Sequence, residues 1–300
     1  MNKETKQGFL LIITATILWA LAAPIAKYLF NSGISPEDLV QARVTYSFLI
    51  LAFIFIGFKR GLLQIAKQDI GYFMLLGIGG FALVQYTYFY AISEIDVGVA
   101  IALQYTAPTM IVIYSAFFLG KKINRHTIMA IVLALIGCYL VVGAYQVAWA
   151  ALNWNGILVA ILSAVVFAFY TLYGEKGLSK YPTWTVFFYV VLFATLFWNI
   201  VHPPFNLVGQ GLSWSVWAGV MAIAIIGTLI PFGLFFMALK KLDPIRLTVT
   251  STLEPIFATV TAFIFLGEAL STWQIIGGLL IVASVIIMTM KNISDDVYLG

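Results

Sequence analysis

The stretch Thr250-Ser251-Thr252-Leu253-Glu254-Pro255 lies inside an apolar run, residues 245–267, that is long enough to cross a bilayer. A carboxylate at that depth costs several kcal/mol in lipid, so Glu254 is expected to face a protein interior or a watery cavity and is a candidate functional group. Pro255 has no amide hydrogen and crowds the turn before it, so the helix is expected to kink and leave a backbone carbonyl without its donor. A charge beside a broken hydrogen-bond ladder suits solute handling better than packing.

Composition puts the rest of the chain in the same environment. Of 300 residues, 62% are hydrophobic and 9% charged, and the mean hydropathy is +1.02. Soluble domains carry about 25% charged residues, so most of this chain belongs in lipid. Ten apolar runs of spanning length are read at 8–30, 37–58, 70–92, 97–119, 126–146, 156–174, 183–202, 213–239, 245–267 and 272–290. The connections between them are too short for a soluble domain. Ser35-Pro36-Glu37-Asp38, Asp96 and Asp243-Pro244 are helix-start signals. The first run, with Lys3 and Lys6 before it and Ala20-Leu21-Ala22 within it, imitates a cleavable signal peptide. It is expected to be retained, because the sixth run is its repeat counterpart and has no such role.

The net charge of +4 is a topology signal. Fourteen of the 16 basic residues fall on one side: Lys3, Lys6, Lys59, Arg60, Lys67, Lys121, Lys122, Arg125, Lys176, Lys180, Lys240, Lys241, Arg246 and Lys291. The alternate loops carry Glu37, Asp38, Glu94, Asp96 and Glu268 instead. The positive-inside rule therefore predicts cytoplasmic termini on both ends, with Trp149, Trp154, Trp198, Trp214, Trp217 and Trp273 as an outer aromatic belt. This distribution excludes a nucleic-acid footprint. A polybasic lipid patch is the weaker alternative, since no loop clusters four or more basic residues.

The two halves repeat at an offset of 147 residues. Ala91 to Asp96 falls on Ala238 to Asp243, Pro108 on Pro255, Leu119-Gly120 on Leu266-Gly267 and His126 on Trp273. Five runs per half is an odd number, so the second half must enter the membrane in the opposite sense. The expected fold is an all-α integral membrane protein of ten transmembrane helices, built as two inverted-topology repeats over 8–146 and 156–290. Secondary transporters use that architecture, with a solute site at the midplane between the halves.

The chain resembles the EamA family of the drug/metabolite transporter superfamily along essentially its whole length. The motifs that carry the resemblance are Trp19, here followed by Ala20 where the family often has glycine, then Arg43, Pro108, Glu254-Pro255 and Leu266-Gly267-Glu268. Leu119-Gly120 is followed by Lys121 where the family often has glutamate. The resemblance implies a polytopic carrier of small metabolites such as amino acids, with a cavity lined by runs 1, 3, 4, 6, 8 and 9.

Three ionisable residues are embedded: Lys27, Arg43 and Glu254. Glu254 lies about 14 Å along its helix from the cytoplasmic end, mid-way through a core about 30 Å thick. There it can engage a substrate amine or take up a coupling proton; the bland reading is a structural carboxylate bonded to a neighbouring helix. Arg43 can grip a substrate carboxylate in a bidentate fork. Equally, it can snorkel outward or pair with an acidic residue to lock helices together, and this structural reading is favoured over solute binding. Lys27 belongs near the outer interface, where its long stem reaches water.

Gln85 and Tyr88 in the third run, and Gln104 and Tyr105 in the fourth, have apolar bodies with polar tips suited to a pocket. Trp19, Tyr170, Phe232 and Phe236 are candidate walls, although aromatic stripes in membranes are more often packing. Pro108, Pro255, Pro231 and Gly80 are candidate helix breaks or gates. Cys138 is the single cysteine and is read as a packing residue. His126 and His202 fall at opposite ends of different runs, so no histidine metal site is expected. No phosphate loop, HExxH or nucleophile motif is present, and no cofactor is expected.

These residues point to a multi-pass inner-membrane secondary transporter, not an enzyme, with a small-molecule substrate, the lipid bilayer and a possible coupling proton as partners. Amino-acid or metabolite export by alternating access leads. A multidrug or hydrophobic-cation transporter of the same fold is the alternative, with a non-transporting scaffold as the reading from another class.

Overall fold

The computed structural model describes residues 2–148, 153–204, 207, 209, 211–266 and 269–290. Trp149, Gly267, Glu268 and Lys291, each used in the sequence reading, lie outside the described residues. Among the described residues every regular element is helical. Eight helices among these residues are long and apolar enough to cross a membrane: α1 (Lys3–Asn31), α2 (Pro36–Phe58), α3 (Lys67–Glu94), α4 (Val97–Phe117), α6 (Trp154–Lys180), α7 (Thr183–Val201), α8 (Trp214–Leu239) and α11 (Thr272–Met290).

Two of the ten expected spans take a different form. The fifth run becomes α5 (Arg125–Val141), whose 17 residues rise about 26 Å, short of a core about 30 Å thick. The ninth run is not one helix but two, α9 (Pro244–Ser251) and α10 (Glu254–Leu266). Pro255 offers no hydrogen to the Ser251 carbonyl. The backbone therefore tightens, with Thr252 N–H donating to Val249 O and Leu253 N–H to Thr250 O, each three residues back.

The helix starts follow from side-chain caps. Ser35, Asp96, Asn124, Asn153 and Asp243 each accept a backbone N–H from the first turn of the helix they precede. Local devices recur at the 147-residue offset. Asp96 and Asp243 both bond the amides two and three residues on. In α3 and α8 a turn holds one extra residue: Leu83 N–H reaches Ile78 O, and Ile230 N–H reaches Ile225 O, each five residues back.

The packing is reciprocal between the halves. Helix α1 lies on α8, α9 and α10, while α6 lies on α3 and α4; α2 packs on α8, and α7 on α3. Helices α5 and α11 meet where Gly137 faces Gly277: a Cβ added to Gly137 would sit 2.8 Å from the Gly277 carbonyl oxygen. Only glycine allows that backbone approach, the small-residue packing expected when lipid supplies no hydrophobic drive between helices.

A polar seam joins α2 to α7. Gln41 Nε2 donates to Asn199 Oδ1 (2.8 Å), Asn199 Nδ2 donates to Thr45 Oγ1 (2.8 Å), and Thr195 Oγ1 donates to the Val44 carbonyl (3.0 Å). Trp154, Trp214 and Trp273 are exposed at helix ends. Trp198 is not a belt residue: it is buried, its ring 5.4 Å from that of Tyr86, because the end of α7 packs onto α3.

Candidate functional site

The break between α9 and α10 has a counterpart in α4. Pro108 withholds a donor from the Gln104 carbonyl, and Thr106 N–H turns back to Leu103 O, dividing α4 into Val97–Gln104 and Ala107–Phe117. The two breaks meet. Tyr105, at the end of the first segment of α4, donates its hydroxyl to Glu254 Oε2 at 2.6 Å. Glu254 is the first residue of α10, the end where the helix dipole favours negative charge. The carboxylate is thus held by the Tyr105 phenol. Among the described residues no cation forms an ion pair with it.

Four further helices bring side chains to this pair. Ile13 of α1, Tyr88 of α3, Cys138 of α5 and Ile281 of α11 join Tyr105, Leu253 and Phe257 in one cluster. Tyr88 lies within electrostatic reach of both Glu254 and Arg43, and its hydroxyl makes no hydrogen bond among the described residues. Gln104 donates to Ser163 Oγ of α6 at 2.7 Å. Glu254, Tyr88, Gln104 and Trp19 all keep partial accessibility despite their depth in the bundle, whereas Tyr105 is 5% exposed. Trp19 Nε1 and Gln85 Nε2 are buried and make no hydrogen bond among the described residues, as is true of Thr109 Oγ1, Tyr170 Oη, Thr185 Oγ1 and Trp198 Nε1 elsewhere in the bundle. Buried donors ordinarily find an acceptor, so each is a site where an acceptor would be favourable.

The remaining expected residues fall elsewhere. Arg43 does not reach Glu254. Its Nε donates to Thr228 Oγ1 (2.7 Å), its Nη2 to the Gly227 carbonyl (2.6 Å), and its guanidinium lies 5.0 Å from the centre of the Phe89 ring. Lys27 is exposed near the end of α1. Tyr170, Phe232 and Phe236 are packed in an aromatic core with Phe81 and Phe235, and Tyr170 and Phe236 are wholly buried. Trp19 edges onto Phe232 at 5.0 Å and is half-buried. Gly80 sits in the α3 bulge, where a Cβ would come within 3.0 Å of Tyr170. Pro231 follows the α8 bulge.

A cavity of about 250 Å³ lies between α5, α10 and α11, lined by apolar groups of Val141, Ile256, Thr259, Gln274, Gly278 and Val282. It contains none of the expected solute residues and is flanked by side chains exposed on the outer face of the bundle, while its Val141 and Ile256 also belong to the cluster around Tyr105 and Leu253. The sequence reading missed Ser163 and Thr228. Each is a lone hydroxyl in an apolar run, a signal too common to single out without knowing which residue faces it.

Comparison with known proteins gives the family. The EamA-like transporter family matches the chain twice, at residues 6–143 and 154–290. The uncharacterized inner membrane transporter YicL of Salmonella typhimurium is 26% identical over 96% of this chain and 97% of its own. An uncharacterized transporter of Archaeoglobus fulgidus is 30% identical over 71% of this chain and 75% of its own. The threonine/homoserine exporter RhtA of Escherichia coli K12 is 26% identical over 87% of this chain and 84% of its own. A solved crystal structure superposes with a TM-score of 0.77 at 22% identity, covering 95% of this chain and 97% of the other, and shares the fold.

Proposed function

Because this chain belongs to the EamA-like transporter family and is a multi-pass membrane protein, we propose that it is a secondary transporter of small amine-bearing metabolites, amino acids foremost, working by alternating access. The observation that carries the reading is the Tyr105–Glu254 contact between two facing helix breaks. Broken helices at the junction of two repeats are where secondary transporters place solute, since irregular backbone is tolerated in a membrane only around a cavity. Glu254 supplies the counter-charge for a solute ammonium. Trp19 Nε1 and Gln85 Nε2 are donors for its carboxylate, and Tyr88 and Gln104 line the path between. The exporter RhtA among the relatives supports amino acids as the class and efflux as the direction.

The ten-helix reading counts α9 and α10 as one broken span and α5 as a short one. The reciprocal packing and the devices repeated at 147 residues support two halves, 8–146 and 156–290, of opposite sense. The basic loops support cytoplasmic termini in an inner membrane. Solute moves the halves only by binding the inward and outward states with different affinity. A coupling proton uses the same carboxylate, so proton and ammonium compete for Glu254.

Counterflow in proteoliposomes tests this. Glu254→Gln should abolish amino-acid exchange, or strip it of pH dependence, while the protein inserts normally. Wild-type pH-dependent flux in that variant would remove Glu254 from the mechanism. Flux of hydrophobic cations but not of amino acids would transfer the site to the alternative substrate class.

A further inference from the structure

Arg43 is 4% exposed and its partners are neutral: a hydroxyl, a carbonyl and a ring. A buried guanidinium without a carboxylate is costly, so what it accomplishes must reside in those partners. The Gly227 carbonyl is four residues before Pro231, which has no N–H to give it. The extra-residue turn at Ile225–Leu229 therefore leaves an acceptor in the bundle interior, and Arg43 Nη2 fills it at 2.6 Å.

The neighbouring bonds serve the same turn. Arg43 Nε donates to Thr228 Oγ1, which in turn donates to the Ile223 carbonyl at 3.0 Å. One turn further along α2, Ser47 Oγ donates to the Ala224 carbonyl at 2.8 Å. Helix α2 thus places three donors, Arg43 Nε, Arg43 Nη2 and Ser47 Oγ, on this one turn of α8.

The corresponding turn of α3 is held differently. The residue 147 places after Arg43 is Val190, and that after Val84 is Pro231, so α3 keeps its amide and α7 offers no cation. There Gly77 lies directly on the α7 backbone, where an added Cβ would sit 2.7 Å from the Val190 carbonyl oxygen. One bulge is fixed by backbone contact and the other by a hydrogen-bonded clamp.

We propose that Arg43 is a positioning residue, not a solute ligand: it replaces the amide that Pro231 lacks, and its release sets how readily α8 pivots at Ile225–Leu229. This rests on the transport reading only for the pivot; the clamp itself is independent of any solute. Hydrogen exchange of the detergent-purified protein, followed on peptides covering Ile223–Phe232, reads the clamp directly. Arg43→Lys keeps the charge but replaces two separately placed nitrogens with a single ammonium on an unbranched stem, and should speed exchange there at least tenfold. Thr228→Val, a near-isosteric change, should do so about threefold. Pro231→Ala restores the missing N–H and should return exchange in the Arg43→Lys protein toward the wild-type rate.

In counterflow, Arg43→Lys should lower maximal rate at least tenfold with half-saturation changed less than twofold, and Pro231→Ala should recover part of that loss. Half-saturation raised tenfold at unchanged maximal rate would make Arg43 a solute ligand and overturn the proposal. Unchanged exchange at Ile223–Phe232 would overturn it as well. If no metabolite is carried but exchange responds as stated, the transport reading fails and the clamp stands.

Discussion

Replacing Tyr105 by phenylalanine removes one hydroxyl and leaves the ring, so the change isolates the bond to Glu254 Oε2. A hydrogen bond to a charged acceptor is worth about 1.5–3 kcal/mol, and one to a neutral acceptor about 0.5–1.5 kcal/mol. Glu254→Gln keeps an oxygen that can accept from Tyr105 while removing the charge. Tyr105→Phe is therefore expected to cost about 2 kcal/mol in the wild type and about 1 kcal/mol in the Glu254→Gln background, a coupling of about 1 kcal/mol. With about 2–4 °C of midpoint per kcal/mol for chains approaching this size, the shifts are about 4–8 °C and about 2–4 °C. Tryptophan fluorescence of all four proteins in one detergent at one scan rate measures them. Equal shifts in the two backgrounds would mean that the phenol does not serve this carboxylate, and the meeting of the two breaks would lose its chemical content.

Three other outcomes are expected. Gly137→Leu forces a side chain into the Gly277 backbone and should cost about 1–3 kcal/mol or prevent folding, seen as a lower melting midpoint or loss of monodisperse protein; Gly57→Ala, with nothing within 4 Å, is the tolerated control. Tyr88→Ala and Gln104→Ala should each raise the half-saturating amino-acid concentration about fivefold or more, a loss of about 1 kcal/mol, without changing the amount of protein in the membrane; parallel losses of both would assign them to packing. Cys138, the single cysteine, packs with Tyr105, so saturating amino acid should slow its labelling by a membrane-permeant maleimide. Unprotected labelling at saturation would place the solute elsewhere.

Glu254-Pro255 was legible without coordinates because lipid penalises a charge and proline penalises a helix whatever surrounds them. Arg43 shows the opposite. Its residue type promised a carboxylate partner, and its partner proved to be a carbonyl freed by a proline 188 residues away in the chain. Tyr170, Phe232 and Phe236 read as pocket walls because an aromatic side chain suits a cavity and a packed core equally; only their neighbours distinguish the two. Trp198 was drawn inward by Tyr86 for the same reason.

The chain alone determined its solvent, most of its helices, the caps Ser35, Asp96 and Asp243, and the 147-residue period, since these depend on transfer free energies and local hydrogen bonding within a few residues. Tertiary structure decided that the breaks at Tyr105 and Glu254 touch, that Arg43 serves α8, and that α5 and α11 meet through Gly137 and Gly277. Those depend on which face each helix turns to its neighbours, and an almost uniformly apolar helix carries no polar face from which that rotation can be read.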